Sequence, residues 1–323
     1  MLFSIDLKSH AKSNLQAHDM FKQIFSNSII VCLLITGSIN TVLAATQEHP
    51  GQINFSEIKE YAQLANVAYL TESGIRKYNF SHNYTLSHYQ IIPELEVSYF
   101  LITNNISKTQ IIAVRGTSNI ENAIIDVALQ LVLNKHTGIR LHNGFSQAAE
   151  AIYTNIKPLL KKDYIIHTTG HSLGGAVALI LAMHLNIDNF NIGKIVTFGQ
   201  PKVTNIAGAH KFKPLNIIRV VTEKDLVPLL PPFDPVDLNN LDIYWHAGQE
   251  LVLLTDNTYA LLEGTSSMLR ATQFTQQPVD ENNLQNHQIT LYLSMLNKKI
   301  PTATLVPFKN SLNLFNLFGS KEK

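Results

Sequence analysis

Thr168-Thr169-Gly170-His171-Ser172-Leu173-Gly174-Gly175-Ala176 is the stretch whose reading decides the fold. A β-like run, Tyr164-Ile165-Ile166-His167, comes before it, and an apolar helical run, Val177-Ala178-Leu179-Ile180-Leu181-Ala182-Met183, follows. Strand, glycine-flanked serine and buried helix are the layout of a nucleophile elbow. Such a turn must be sharp, because it has to lift the serine Oγ clear of the sheet. It then leaves backbone N–H groups and the positive end of a helix facing any developing oxyanion. Glycines at 170 and 174 relieve the crowding that side chains would create there. The five-residue pattern alone arises by chance in roughly one chain of this length in ten. Its meaning therefore depends on partners elsewhere in the chain.

Outward from the turn, strands and helices alternate. On the N-terminal side, Glu96 to Ile102 and Gln110 to Val114 read as strands separated by Asn104-Asn105 turn chemistry. His142-Asn143-Gly144-Phe145 opens a helix with an apolar face at Phe145, Ala149, Ile152 and Ile156, and Pro158 marks its end. Earlier still, Ile58, Tyr61, Ala62, Ala65 and Tyr69 recur at helical spacing, with Ser56 as the N-cap candidate. A loop rich in Ser, His, Asn and Tyr is expected over residues 78–89. On the C-terminal side, Lys194 to Phe198 and Ile217 to Val221 read as strands and Leu251 to Leu254 as an edge strand. Residues 263–286 read as an irregular polar loop and Ile289 to Leu296 as a helix. This alternation predicts an α/β fold with an open, mostly parallel central sheet flanked by helices on both faces.

The 323 residues suffice for one large α/β domain with a sizeable core. A formal net charge of +1 and the lack of any long basic run argue against a nucleic-acid partner. Cys32 is the one cysteine, and the histidines show no H-E-x-x-H spacing, so neither a metal nor another cofactor is expected. Residues 1–27 are polar and mildly basic, with Lys8, Lys12 and Lys22. A short apolar core from Ile29 to Ile39 follows, closed by Val42-Leu43-Ala44-Ala45. That is the signal-peptide pattern, spanning 1–44 with cleavage after Ala44 and Met20 as an alternative start. A retained membrane anchor is the other reading, but the apolar core is short for a bilayer span. The expected organisation is thus an exported, secreted or periplasmic domain over 45–300 with a C-terminal tail over 301–323. Once cleaved, it would contain no cysteine.

A serine becomes a useful nucleophile only when a base takes its proton and a third group orients that base. On an α/β-hydrolase chain the order is Ser, acid, His. Asp225 follows the strand 217–221 and so falls at a strand's carboxyl end, where open α/β sheets collect functional groups. Asp234, Asp237 and Asp242 sit in a Pro- and Asn-rich loop with no strand before them. Among the later histidines, His246 lies between aromatic residues ahead of a strand, which suits a packed structural role. His287, at a loop-to-helix junction, is the candidate base. His142 and His171 precede Asp225 and read as local hydrogen-bonding residues. In Arg115-Gly116-Thr117-Ser118 the N–H of Thr117 is a candidate oxyanion donor, with a plain strand-to-loop turn as the alternative. Residues 119–133 are apolar far beyond one helical stripe, which suits either a lid that opens on a lipid surface or a core helix.

Six pieces in order resemble the class 3 lipases, the family that includes the fungal triacylglycerol lipases, over roughly residues 55–297. They are Val114-Arg115-Gly116-Thr117-Ser118, His142-Asn143-Gly144-Phe145, Gly170 to Ala176, Thr197-Phe198-Gly199-Gln200-Pro201, Asp225 to Pro231, and Asn286-His287. The resemblance implies an α/β-hydrolase with a helical lid in the segment after Thr117. It implies Ser172 as nucleophile, Asp225 as orienting acid, His287 as base, and Thr117 with the Leu173 backbone N–H as the oxyanion hole. The implied activity is that of a serine ester hydrolase cleaving acylglycerols through an acyl-enzyme, on lipid or ester substrates at a lipid–water interface. A phospholipase or acyltransferase with the same triad, and a lipid-surface binding protein without turnover, stay as alternatives. The chain departs from the family pattern at Val114, where many members carry an aromatic residue. It also lacks the lid tryptophan, having Ala123 and Ile124 thereabouts, and cannot form the disulfides of secreted fungal relatives.

Overall fold

The apolar spacing that starts after Asn54 forms a helix, α1 (Phe55–Val67), in the computed structural model, which describes residues 53–117, 130–231, 243–271 and 285–308. The folded unit starts at Asn54. Asn54, not Ser56, caps α1, its Oδ1 accepting from Glu57 N–H at 3.1 Å. Ser56 lies inside the first turn and is exposed. After the short α2 (Glu72–Lys77), the expected loop over 78–89 gives way to a strand, β1 (Thr85–Ile92). Its polar composition reflects its place at the sheet edge, where all but one of its eight residues are half-exposed or exposed.

β2 (Val97–Asn104) and β3 (Thr109–Val114) follow as expected, and both are buried nearly throughout. Residues 118–129, most of the segment considered as a lid, lie outside the described residues. The end of that segment is not helical, because Leu131 to Leu133 belong to β4 (Leu131–Asn134), which pairs with β5 (Ile139–His142). His142 then caps α3 (Asn143–Ile156), with Nδ1 accepting from Phe145 N–H, and Pro158 sits in a 3₁₀ turn after it.

The central unit is β6 (Ile165–His171), α4 (Leu173–Ile187) and β7 (Asn191–Phe198). Gly174 to Leu185 are buried without a break, so α4 is a core helix packed on every side. Beyond it come β8 (Thr204–Asn205), α5 (Ile206–Lys211), β9 (Asn216–Thr222), β10 (Tyr244–Trp245) and β11 (Gln249–Leu253). The unit closes with β12 (Thr258–Leu262), α6 (Gly264–Ala271), α7 (Ile289–Lys299) and β13 (Thr304–Leu305). Asp234, Asp237 and Asp242 lie outside the described residues.

The main sheet runs β1-β2-β3-β6-β7-β9-β11-β12-β13. Its middle, from β3 to β11, is parallel, while β1, β2 and β12 pair antiparallel. β11 reads as an edge strand in the sequence but lies inside the sheet, paired with β9 on one side and β12 on the other, with Glu250 to Leu253 buried. A smaller antiparallel sheet, β10-β8-β5-β4, accompanies it. One sheet face carries α3 and α4, which share a core with Ile112, Val114, Ile166 and Ile195. On the other face α1 packs over β6 and against α7, with Thr169 Oγ1 donating to Tyr61 O. The sheet is therefore covered on both faces, and its parallel strands all end on one rim. Among the described residues, no helix is long and apolar enough to cross a membrane.

Candidate active site

Ser172 stands between the end of β6 and the first residue of α4 with φ 59° and ψ −132°, a region that non-glycine residues rarely enter. Its surroundings hold it there. Its N–H donates to Phe198 O at 2.8 Å, and its carbonyl accepts from Gly175 and Ala176 N–H at 3.0 and 3.3 Å. The flanking glycines are a steric need. A Cβ on Gly170 would fall 2.4 Å from Gly174 O, and one on Gly174 would fall 2.3 Å from Val114 O. This close approach lets the turn double back between β3 and β6. Leu173 N–H lies in the first turn of α4, where N–H groups have no helical carbonyl to bond.

Asp225 follows β9 and is fully buried, and its carboxylate is held by three donors. Val227 N–H donates to Oδ1 at 2.9 Å, His287 Nδ1–H donates to Oδ2 at 2.7 Å, and the Tyr292 hydroxyl from α7 donates to the same Oδ2. With Nδ1 carrying the proton, His287 Nε2 is an acceptor, and it has no hydrogen-bond partner among the described residues. Burial, reinforced by the Asp225 charge, drives the Tyr292 phenol well above its ordinary range, so it remains a donor. Gly199, with φ 58°, lies under this pair. A Cβ there would come within 2.7 Å of His287 Cε1 and 2.9 Å of Asp225 Oδ2.

The turn after β3 reaches the same rim. A Cβ on Gly116 would lie 2.6 Å from His171 O and 3.2 Å from Ser172 Cβ, so the Gly116–Thr117 backbone runs beside the serine. Thus Ser172, Leu173, Gly116–Thr117, Asp225 and His287 converge where the parallel strands end, in agreement with the chain order. The histidines left aside take other places. His246 is buried with Nε2 on Pro228 O at 2.7 Å, and His142 caps α3. The His171 ring lies 4.5 Å from that of His287. A serine held at a strained strand-to-helix turn, on the same rim as an imidazole oriented by a buried carboxylate, is a starting point for acyl-transfer chemistry.

Residues 111–234 match the family model described as Lipase (class 3). The chain carries an α/β-hydrolase fold similar to that of fungal lipases. It is 31% identical over 176 residues to the secreted mono- and diacylglycerol lipase 1 of Fusarium solani, covering 52% of this chain and 51% of that one. A lipase from Rhizopus microsporus var. chinensis superposes with TM-score 0.54 at 26% identity, covering 62% of this chain and 74% of its own. A triacylglycerol lipase described as having a serine protease triad at its catalytic centre superposes with TM-score 0.52 at 26% identity, covering 66% and 83%. The chain spans about half the length of the curated relatives it matches.

Within this α/β-hydrolase fold, sequence reasoning missed three contributors to the site: Tyr292, Gly199 and Tyr69. Tyr292 carried a usable signal, being a tyrosine on the buried face of the helix that the candidate base opens. Tyr69 carried none, because its contacts with His171 and Gly116 join residues far apart in sequence. Gly199 sits in a matched piece, but nothing local reveals that His287 rests against it.

Proposed function

We propose that this protein is a serine ester hydrolase that cleaves acylglycerol esters through an acyl-enzyme, with Ser172 as nucleophile, His287 as base and Asp225 as the group that orients it. One observation carries the reading: the buried Asp225–His287 pair at 2.7 Å leaves the imidazole Nε2 lone pair free, on the rim where Ser172 is held at φ 59°. The Ser172 hydroxyl proton passes to His287 Nε2 as Oγ attacks the ester carbonyl, and Asp225 stabilises the resulting imidazolium. The oxyanion forms against the N–H groups of Thr117 and Leu173. The leaving alcohol takes the proton from His287, and water then resolves the acyl-enzyme with His287 again as base. The lipase relatives support acylglycerols as substrates, and we propose that these are met at a lipid–water interface. The secreted relative from Fusarium solani supports export, with residues 1–44 as the cleaved signal and 45–300 as the working domain.

The test uses purified protein offered triacylglycerol, diacylglycerol, phospholipid and an acceptor alcohol together, alongside an active-site phosphonate. The parent should release fatty acid and take up one phosphonate per chain. Ser172→Ala should stay folded, take up none, and lose activity by on the order of 10⁴-fold or more. A folded parent that neither labels nor turns over any ester would sink the enzyme reading. Release from phospholipid alone would replace the acylglycerol substrate with the phospholipase alternative.

A further inference from the structure

His171 precedes the serine and is buried, its ring 4.5 Å from that of His287. Its Nδ1 lies 2.8 Å from the Tyr69 hydroxyl and its Nε2 lies 2.6 Å from the His287 carbonyl oxygen. A carbonyl only accepts, so Nε2 must carry the proton. In a neutral ring Nδ1 is then an acceptor, and the Tyr69 hydroxyl must donate to it. Burial, with His287 adding to it, keeps the ring neutral by pushing its pKa well below 6.5. The Tyr69 oxygen also lies against Gly116. The polarity of both hydrogen bonds is fixed: the path runs from Tyr69, packed on Gly116, by Tyr69 O–H to His171 and by His171 N–H to the His287 carbonyl.

This path joins two parts of the site that share no secondary structure. Gly116 belongs to the turn after β3 that carries Thr117, while His287 sits at the start of α7. Tyr69, just beyond α1, also fills the space against Gly116, whose Cβ, if it had one, would lie 2.4 Å from the phenol oxygen. The Thr222 hydroxyl bonds to Asn286 O at 3.2 Å and gives the base's loop a second anchor, to the end of β9.

We infer that Tyr69 is a positioning residue, which through His171 sets the oxyanion turn at Gly116–Thr117 in register with the backbone of His287. The inference rests on the hydrolase reading above. Tyr69 touches no reacting atom. It makes the distance between oxyanion donors and base a property of one packed and hydrogen-bonded path instead of two independently mobile loops. Losing the hydroxyl leaves His171 Nδ1 without this partner, opens space against Gly116 and frees the turn to shift by a fraction of an ångström. Displacements of about 1 Å cost up to 10²-fold in rate.

The test compares Tyr69→Phe with the parent on a soluble short-chain ester, with rates divided by the number of sites titrated by the phosphonate. The expected result is a kcat per titrated site lower by about 10- to 100-fold, KM within about twofold, and equally slowed phosphonate inactivation, since that reaction also builds charge at the oxyanion position. A purely structural tyrosine would lower the melting temperature and the number of titrated sites while leaving kcat per site unchanged, and that outcome overturns the inference. A parent that takes up no phosphonate indicts the hydrolase reading instead. If Tyr69→Phe does not fold, the parent's His171 tautomer decides by ¹⁵N–¹H long-range correlation: an Nε2–H ring is required, and an Nδ1–H ring overturns the path.

Discussion

Asp225 shows how much of a catalytic geometry can depend on residues with no chemistry of their own to offer. Its two oxygens are engaged by Val227 N–H, His287 and Tyr292, which leaves the carboxylate one orientation and the imidazole one tautomer. The floor beneath them is Gly199, and here a single methyl group is decisive. Gly199→Ala must both hold φ near 58° and find room where His287 Cε1 and Asp225 Oδ2 already stand at 2.7 and 2.9 Å. The expected outcome is a loss of kcat by about 10²-fold or more, since the base must move by around an ångström. Gly264 supplies the control, having φ 50° with nothing within 4 Å of where a methyl would sit. Gly264→Ala should cost about 1–2 kcal/mol of stability from backbone strain alone and leave kcat untouched. Equal loss of activity in the two variants, measured at saturating soluble ester, would show that strain rather than displacement of the pair is responsible. At this scale the sequence points to Ser172, Asp225 and His287 as the proposed triad, because each sits in a local pattern that its chemistry requires. Gly199 and Tyr69 act through contacts across the fold, which local pattern does not carry, whereas Tyr292 is hinted at only by its place on the buried face of α7.

Elements with long apolar runs, such as β2, β3, β6, β7, β9 and α4, are legible in the chain because a parallel sheet buried on both faces demands such runs. The elements that escape are short or polar. β12 holds only Thr258–Leu262, and without it β11 looks like an edge. β8 and β10 are two residues each and exist only as partners of one another and of β5. α6 reads as loop because its inward face is polar: Ser267 and Arg270 are buried along with Met268. They are buried because β11 presents Glu250 beneath them. Arg270 pairs with Glu250 at 2.5 Å, the Ser267 hydroxyl donates to it, and Arg219 from β9 approaches to 3.6 Å. Burial opposes the Glu250 charge, but Arg270 and Arg219 outweigh it and hold the carboxyl below its ordinary value. Arg270→Met keeps the volume and removes the main counter-charge. It should lower stability by about 3 kcal/mol, the typical cost of leaving one member of a buried pair behind. Denaturant titration checks this, and an unchanged midpoint would mean that α6 is held by Met268 packing and not by the ion cluster.

Across the whole molecule, buried histidines make the fold sensitive to acid. Burial holds His142, His167 and His184 neutral down to about 4, and pushes His171 and His246 well below 6.5 as well. In the unfolded chain each would take up a proton near 6.5. Unfolding therefore binds protons between about pH 4 and 6.5, and stability must fall as pH drops through that window. Two other groups act in the same direction. Lys202, buried and lowered to about 7, makes folding more favourable as pH rises above 7, and Glu250 loses its stabilising charge only at still lower pH. The melting temperature should accordingly decline steadily from pH 7 to pH 4, and a flat profile would contradict the buried neutral rings. His184 isolates the effect, because neither of its ring nitrogens has a hydrogen-bond partner among the described residues and it is fully buried on α4. His184→Leu removes one titrating group without breaking a hydrogen bond. A ring lowered from 6.5 to about 4 costs the fold about 3 kcal/mol by pH 4. The variant should therefore lie closest to the parent at pH 7 and gain on it by roughly that amount as pH falls to 4. A constant offset at every pH would mean that His184 matters only for its volume.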